Sequence, residues 1–179
     1  MKVYLTVALC LAFAVTGPAV MAQADDFDPA SVNIVDLIEC KADVPAYNGF
    51  AIWLSSLEAP DHPQDMMKVE SGNPFLSQYE LAEPIEVFGY QTQTVVFTNS
   101  GPMAVLDTPD AGAVAKALKI NPAYATETKF LGERVISETA DSADGMSWTT
   151  KISLNVSTVD SHPGKTLAGC SYRIDMKDE

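Results

Sequence analysis

Histidine, cysteine and basic residues are scarce in this chain of 179 residues, and each scarcity excludes a class of function. It has two histidines and three cysteines, so clustered imidazole and thiolate ligands for zinc or a redox dithiol are missing. Eleven Lys and Arg oppose 24 Asp and Glu, which gives a formal net charge of −13. Because so acidic a surface repels phosphate backbones and anionic lipid headgroups, nucleic acid and membrane surfaces are not expected partners.

Motifs for phosphate binding and nucleophilic catalysis are also missing. The glycines form no phosphate loop, and the chain has no G-x-S-x-G elbow. Asp160, Ser161 and His162 supply the residue types of a hydrolytic triad within "DSHPGK". Consecutive residues in one loop cannot easily form the relay of a triad, so we interpret this segment as a turn. The sequence predicts no cofactor, and it favours a non-enzymatic function while leaving enzymatic activity open.

Two short segments contain residue types that bind metals, but neither has the spacing of a metal site. In "DHPQDMMK", His62 and the adjacent methionines resemble soft-metal ligands, although the spacing is loose. Asp141 and Asp144 precede Gly145 as in a calcium loop, but the later glutamate is missing. We interpret the first segment as a loop and the second as a hairpin turn, and we predict no metal site.

The N-terminus has the features of a secretory signal peptide. Lys2 precedes an apolar run of about a dozen residues, which is too short for a membrane span, and an Ala-x-Ala pattern ends at Ala24. We therefore predict a signal peptide at 1–24 and one exported domain at 25–179, periplasmic or secreted, with no membrane span in the mature chain. Cleavage removes one positive charge, Lys2, and leaves a net charge of −14. A lipoprotein modified at Cys10 and an uncleaved membrane anchor are less favoured alternatives.

Cleavage would leave two cysteines, Cys40 and Cys170, in an oxidising compartment. Their wide separation and the lack of nearby histidine favour a structural disulfide over a metal pair or redox dithiol. Cys170 lies on the apolar side of the alternating segment "TLAGCSYRIDMK". We therefore expect the bond to tie a buried strand face to the N-terminal part of the domain.

Hydrophobic periodicity predicts an α+β fold, an antiparallel β-sheet with helices packed on one face. Helices are expected near 45–58 and 109–120, with Asp43 and Thr108 as N-caps. Residues 31–40 fit a short helix, which we favour, or a strand in which Val35, Leu37 and Glu39 alternate. Residues 59–84 contain four prolines and no sustained period, so we interpret them as a long loop. Strands are expected near 85–90, 92–98, 103–107, 129–138, 148–156 and 168–176.

The resulting order is helix-βββ-helix-βββ. This tandem order resembles the layout of β-lactamase inhibitory proteins, which block a partner enzyme with a concave sheet. The resemblance lies in the order of elements and includes no sequence motif. It implies a protein that acts by binding another protein.

Candidate binding residues lie on the polar face of the last two strands and in the loop between them. Lys151 and Arg173 alternate with apolar residues, and the loop contributes Asp160, His162 and Lys165. We expect an exported binding protein, an inhibitor or immunity-type partner of an envelope-active enzyme, and a basic enzyme would suit the acidic chain. The loop would enter the partner in this interpretation.

Two alternatives come from other classes. The first is a small envelope hydrolase or a small-ligand carrier with a pocket under the 59–84 loop, lined by Trp53, Phe75 and Tyr79. The second is a structural component of the envelope, for which a homo-oligomer without other partners is the expected sign.

Overall fold

The computed structural model describes residues 28, 31–56 and 66–177. The predicted signal peptide, its cleavage site and His62 lie outside these residues. The helices are α1 (Ile34–Ile38), α2 (Val44–Ser56) and α3 (Ala111–Ala117). The strands are β1 (Met67–Val69), β2 (Ser77–Val87), β3 (Tyr90–Phe97), β4 (Pro102–Leu106), β5 (Pro122–Ala125), β6 (Phe130–Ala143), β7 (Met146–Ser157) and β8 (Thr166–Lys177).

All eight strands form one antiparallel sheet with the order β1-β2-β3-β4-β8-β7-β6-β5. The first four strands and the last four are each connected as a meander, and the two meanders meet where β4 pairs with β8. Each meander is preceded by helix, α2 in the first case and α3 in the second. The predicted antiparallel sheet is confirmed, and the molecule is mostly β, with short helices added to the sheet.

The predicted order helix-βββ-helix-βββ is wrong because each half contains a fourth strand. Residues 59–84, interpreted as a loop, include β1 and most of β2. Pro84 is tolerated there because the β2–β3 register shifts between Glu80 and Ile85, so Pro84 is outside the regular ladder. Pro122 is the first residue of the edge strand β5 and does not merely end the preceding helix. At the start of an edge strand, the missing N–H of proline costs little because few ladder hydrogen bonds depend on it.

Short polar side chains fix the beginnings of the helices. The side chain of Asn33 accepts a hydrogen bond from the N–H of Val35 in α1, and that of Asp43 accepts one from Ala46 in α2, as predicted. The predicted cap at Thr108 is wrong. Asp110 is the N-cap of α3, because its carboxylate accepts a hydrogen bond from the N–H of Ala113 at 2.8 Å.

The main core lies between the three helices and one face of the sheet. Tyr47 of α2 stacks on Tyr172 of β8 with ring centroids 4.8 Å apart, and Phe50 stacks on Phe97 at 6.1 Å. Fully buried side chains from both helical and strand segments belong to the same cluster, including Ile34, Leu37, Ile38, Phe50, Val95, Ala104, Leu106, Val114, Val156 and Ala168. This face is called the helix face.

Two contacts tie β8 to the N-terminal helices. The sulfur atoms of Cys40 and Cys170 are 2.08 Å apart, so the predicted disulfide pair is confirmed. The hydroxyl of Tyr172 donates a hydrogen bond of 2.7 Å to the carbonyl of Leu37. The two links join residues that are 130 and 135 positions apart, and they hold α1 against the centre of the sheet.

The opposite face of the sheet, called the open face, carries a smaller apolar cluster. Val96, Met103, Val105 and Leu167 are buried there, and Val159 from the β7–β8 loop packs against them. Alternation along the strands explains this second cluster, because Leu167 and Met103 point away from the helix-face residues Ala168 and Ala104.

Strands β6, β7 and β8 extend beyond the buried part of the sheet as a three-stranded ribbon. Cross-strand partners Glu138, Lys151 and Arg173 form its first row, and the turn at Asp144 and Gly145 closes its tip. Residues 138–151 and 173–177 are called the arm. Six residues from Glu138 to the end of β6 span about 20 Å, and all six are exposed.

Candidate interaction face

The two basic residues predicted for binding are direct neighbours on the open face. Lys151 pairs across β7 and β8 with Arg173, and Glu138 of β6 is opposite Lys151 on the other side. Directly paired residues of an antiparallel sheet share a face. The structure therefore aligns an acid and two bases in one row across three rigid strands.

Ion pairs organise the charges around this row. The Lys151 ammonium lies 2.7 Å from a carboxylate oxygen of Glu133 and lowers the pKa of that carboxyl group. The Arg173 guanidinium lies 2.9 Å from the carboxylate of Asp175, which raises the pKa of Arg173. Both pairs are partly exposed, so their contribution to stability is small. Their main effect is to hold charged groups in defined positions.

Neutral polar side chains continue the open face toward the centre of the sheet. The amide of Asn155 donates hydrogen bonds to the hydroxyl of Ser171, at 3.0 Å, and to the carbonyl of Ser153, at 2.9 Å. The first contact crosses from β7 to β8 and the second lies within β7, so the side chain of Asn155 is ordered before any partner binds. Sequence alternation correctly places this set on one face.

The 158–165 loop lies on the open face and does not project from the domain. Asp160 pairs with Lys129 at 2.6 Å, and Lys165 pairs with Asp107 at 2.9 Å. Directly before Asp160, Val159 covers the small apolar cluster of the open face. The structure therefore brings the predicted loop residues to the same face as Lys151 and Arg173, at the end of the strands opposite to the arm.

His162 connects the loop to β2 through both ring nitrogens. Its Nδ1 is 2.9 Å from the Ser161 hydroxyl, and its Nε2 is 3.0 Å from the side-chain oxygen of Gln78. Partial burial lowers the pKa of His162, against the opposing effect of the Glu80 charge. A neutral imidazole can accept a hydrogen bond from the Ser161 hydroxyl at Nδ1 and donate one to the Gln78 side-chain oxygen from Nε2.

This geometry does not form the Asp-His-Ser relay whose residue types the sequence contains. Asp160 contacts Lys129, and the side chain that orients the histidine is the neutral amide of Gln78. An amide cannot stabilise an imidazolium as a carboxylate does. The interpretation of this segment as a turn agrees with the observed backbone hydrogen bonds, since His162 N–H bonds to Val159 and Lys165 N–H to His162.

A groove of about 700 Å³ borders the loop. Phe75 on its rim is 83% exposed, whereas Tyr79 is only 3% exposed and packs edge-on against Phe97. Trp53 instead packs against Phe50 of the same helix. Of these three aromatic side chains, only Phe75 lines the groove. The predicted ligand pocket, which all three would line together, is therefore not observed. The groove is lined by Asn73, Pro74, Phe75, Leu76, Ser77, Phe97, Thr98, Asn99 and Val159.

The described residues of the two segments that contain metal-binding residue types do not bring such side chains together, and His62 lies outside them. Met66 is buried while the neighbouring Met67 is 60% exposed, so the two sulfur atoms do not converge. Asp144 and Gly145 have positive φ angles of 51° and 79° and form the β6–β7 hairpin turn, as expected. Within the described ranges, no group of three or more His, Cys, Asp or Glu side chains is arranged to hold a metal ion.

Sequence reasoning missed three members of this face, namely Gln78, Glu133 and Glu138. Their strands were predicted in part or not at all, and the register of β6 shifts between Val135 and Ser137. Simple alternation that ignores this bulge assigns the side chains at one end of β6 to the wrong face of the sheet. The alternating pattern of "ERVISE" could indicate a strand, but not which of its acids would face Lys151.

None of the described helices has the length and apolar character needed to cross a bilayer. No protein-family model, curated protein or solved structure matches the chain. The likeness to β-lactamase inhibitory proteins rests on the order helix-βββ-helix-βββ, which the structure does not have, so it supports no functional conclusion. Any functional conclusion has to come from the geometry of the molecule itself.

Proposed function

We propose that this protein is an exported, non-enzymatic binding protein that recognises another protein through its open face. The partner we favour is a basic, envelope-active enzyme, with the present chain as its inhibitor or immunity-type protein. The observation that carries the proposal is the alignment of Glu138, Lys151 and Arg173 on three paired strands of one exposed face.

Rigid placement of these charges favours recognition of a macromolecule. Side chains fixed by neighbouring strands and ion pairs lose little freedom on binding, which lowers the entropic cost of association. Besides the two bases in the first row, the open face carries the acids Glu80, Glu133, Asp160 and Asp175. A basic partner would complement both this surface and the overall net charge of −13.

Export is part of the proposal and is supported by two features. The disulfide pair suits an oxidising compartment, and the leader at 1–24 has the composition of a signal peptide. Edman sequencing of the secreted protein tests this part directly. A mature N-terminus near Asp25 is expected, and retention of the leader would contradict it.

Capture from an envelope extract with matched baits tests the binding face. The open-face bait carries Lys151→Glu and Arg173→Glu, and the control bait carries Lys68→Glu and Lys116→Glu. Both doubles change the net charge equally, and the control residues lie on the helix side of the molecule. Both doubles gain the same long-range attraction to a basic protein, so the comparison between them reports local contacts. We expect a stoichiometric partner that binds the open-face double at least about tenfold more weakly than the control, because acidic groups of the partner that face Lys151 and Arg173 would then meet like charge.

Equal binding by both double variants would reject the open face as the interaction surface. The contribution of the loop is tested separately with His162→Ala and Lys165→Ala on the purified complex. Unchanged affinity of both loop variants would restrict the interface to the strands. High salt should weaken the wild-type complex, because the proposed contacts are exposed charges.

A small-ligand carrier is a second candidate, favoured by the groove beside Phe75. An exposed aromatic ring next to Leu76 and Phe97 provides apolar contact area, and Asn73 and Asn99 provide hydrogen-bonding groups. Native mass spectrometry of the secreted protein tests this candidate. A retained molecule that is lost in Phe75→Ser would support it, and an unliganded mass would count against it.

A further inference from the structure

Among the residues that the structure describes, no strand pairs with the outer edge of β8 in the arm. Strand β4 pairs with β8 only from Thr166 to Gly169, and the N–H of Tyr172 donates to the carbonyl of Ser100 in the adjacent loop. Beyond Tyr172 no described strand borders this edge, although residues 173–177 still pair with β7 on the inner side. The sheet therefore ends here with a strand that is exposed along one edge.

Alternation defines which backbone groups this edge presents. Tyr172 directs its N–H away from β7, so Ile174 and Met176, two and four positions later, direct theirs the same way. Their side chains lie on the helix face and are 50% and 57% exposed. Arg173, Asp175 and Lys177 lie on the open face, so the edge combines apolar residues on one side with alternating charges on the other.

We propose that two copies of this chain associate through this edge, with their β8 strands antiparallel and a two-fold axis at Met176. In this register Asp175 of each copy is opposite Lys177 of the other, which gives two complementary pairs on the open face. Cross-strand pairs of opposite charge stabilise a sheet, and like charges destabilise it. The two Met176 residues exchange N–H to C=O hydrogen bonds across the axis.

Charge and backbone accessibility select this register over its neighbours. An axis at Asp175 sets the two Asp175 residues opposite each other and Arg173 opposite Lys177, so every charged pair is repulsive. An axis at Ile174 requires Met176 to bond the N–H of Tyr172, which Ser100 already occupies. Charged edges usually discourage pairing, but alternating signs permit one particular alignment.

Charge reversal with rescue tests the dimer. Sedimentation equilibrium of the purified, oxidised protein over a range of concentrations should show a monomer–dimer equilibrium. Lys177→Asp and Asp175→Lys should each raise the dissociation constant about tenfold or more, since both pairs become repulsive. The double variant Asp175→Lys/Lys177→Asp restores opposite charges and should restore dimerisation. Lys116→Asp on α3 is the control and should leave the equilibrium unchanged.

Cysteine substitution tests the register independently. Across a hydrogen-bonded pair the Cα atoms are about 5.5 Å apart, which a disulfide can bridge. Met176→Cys should therefore form a covalent dimer on oxidation, and Ile174→Cys should not. A monomer at every concentration, or a double variant that does not recover dimerisation, would overturn the proposal. Because no partner protein is present, these outcomes are independent of the proposed recognition of an enzyme.

Discussion

The two meanders of the sheet have the same connectivity but different surroundings. In the first, β4 is buried along its whole length, and α1 packs on the helix face of β2 and β4. In the second, β6, β7 and β8 have 14, 12 and 12 residues, and their far ends extend past the core as the arm. Equal topology therefore yields a closed region that stabilises the fold and an extended region that presents surface.

The difference follows from where apolar residues stop along each strand. β4 reads Pro-Met-Ala-Val-Leu, with both faces apolar, because one face meets the helices and the other meets the β7–β8 loop. The last five residues of β8 are all exposed although they continue the same alternation. Alternation alone thus indicates the face of a residue, whereas burial depends on which other elements reach that point.

Loss of the disulfide, which joins the end of α1 to the buried part of β8, is expected to have the largest effect on stability. Cys40 and Cys170 are 130 positions apart, and closing so long a loop stabilises the folded state by about 4–5 kcal/mol in the chain-entropy model. Cys40→Ala/Cys170→Ala should lower the free energy of unfolding by that order in urea titrations. A change below about 1 kcal/mol would contradict a stabilising role.

Matched truncations should separate the closed region from the arm. Leu106→Ala removes a fully buried side chain and should lower the free energy of unfolding by about 2–5 kcal/mol. Met176→Ala removes a side chain that is 57% exposed and should change it by no more than about 0.5 kcal/mol in dilute protein. Chemical denaturation measures both. Similar losses would mean that the arm is packed against another element.

Removing one hydroxyl tests the link between β8 and α1. Tyr172→Phe loses the hydrogen bond to Leu37 and should reduce the free energy of unfolding by about 1 kcal/mol. Burial raises the pKa of Tyr172 in the folded state. Its stabilising contribution is therefore complete below the unfolded-state pKa of about 10 and is lost as pH rises above it.

Unfolding curves measured at alkaline pH test this loss of stability. The wild type should lose stability more steeply above pH 10 than Tyr172→Phe, which has one fewer buried phenol to ionise. The buried hydroxyl of Tyr47, whose pKa is also raised by burial, should leave a residual alkaline dependence in the variant. Identical slopes would show that Tyr172 does not ionise on unfolding.

Titration of His162 is expected to have the smallest effect. Its pKa is lowered in the folded state, chiefly by burial, so the unfolded chain binds the proton more readily. The contribution of this residue is complete above an unfolded-state pKa of about 6.5 and decreases as pH falls below it. Unfolding midpoints measured between pH 7 and 5 should decrease less in His162→Gln than in the wild type. An equal decrease would place the dependence elsewhere.

Sequence patterns could predict a short helix within 31–40, the start of α2 at Asp43 and the two faces of β7 and β8, because each depends on local spacing. The disulfide pair follows instead from the two cysteines that remain after cleavage. Sequence patterns could not predict β1, most of β2 or β5, and Pro84 in β2 and Pro122 in β5 resemble loop or helix-end signals. Whether a proline interrupts a strand depends on its place in the ladder, which is a tertiary property. The same limit applies to His162, whose contact with Gln78 joins positions 84 residues apart.

Hydrogen exchange of the protein with its captured partner tests the central claim, that the second meander carries the interaction face. The account predicts added protection in peptides from 146–157 and 166–177, with little change in α2 and α3. Protection confined to the helices, with β7 and β8 unchanged, would contradict the claim.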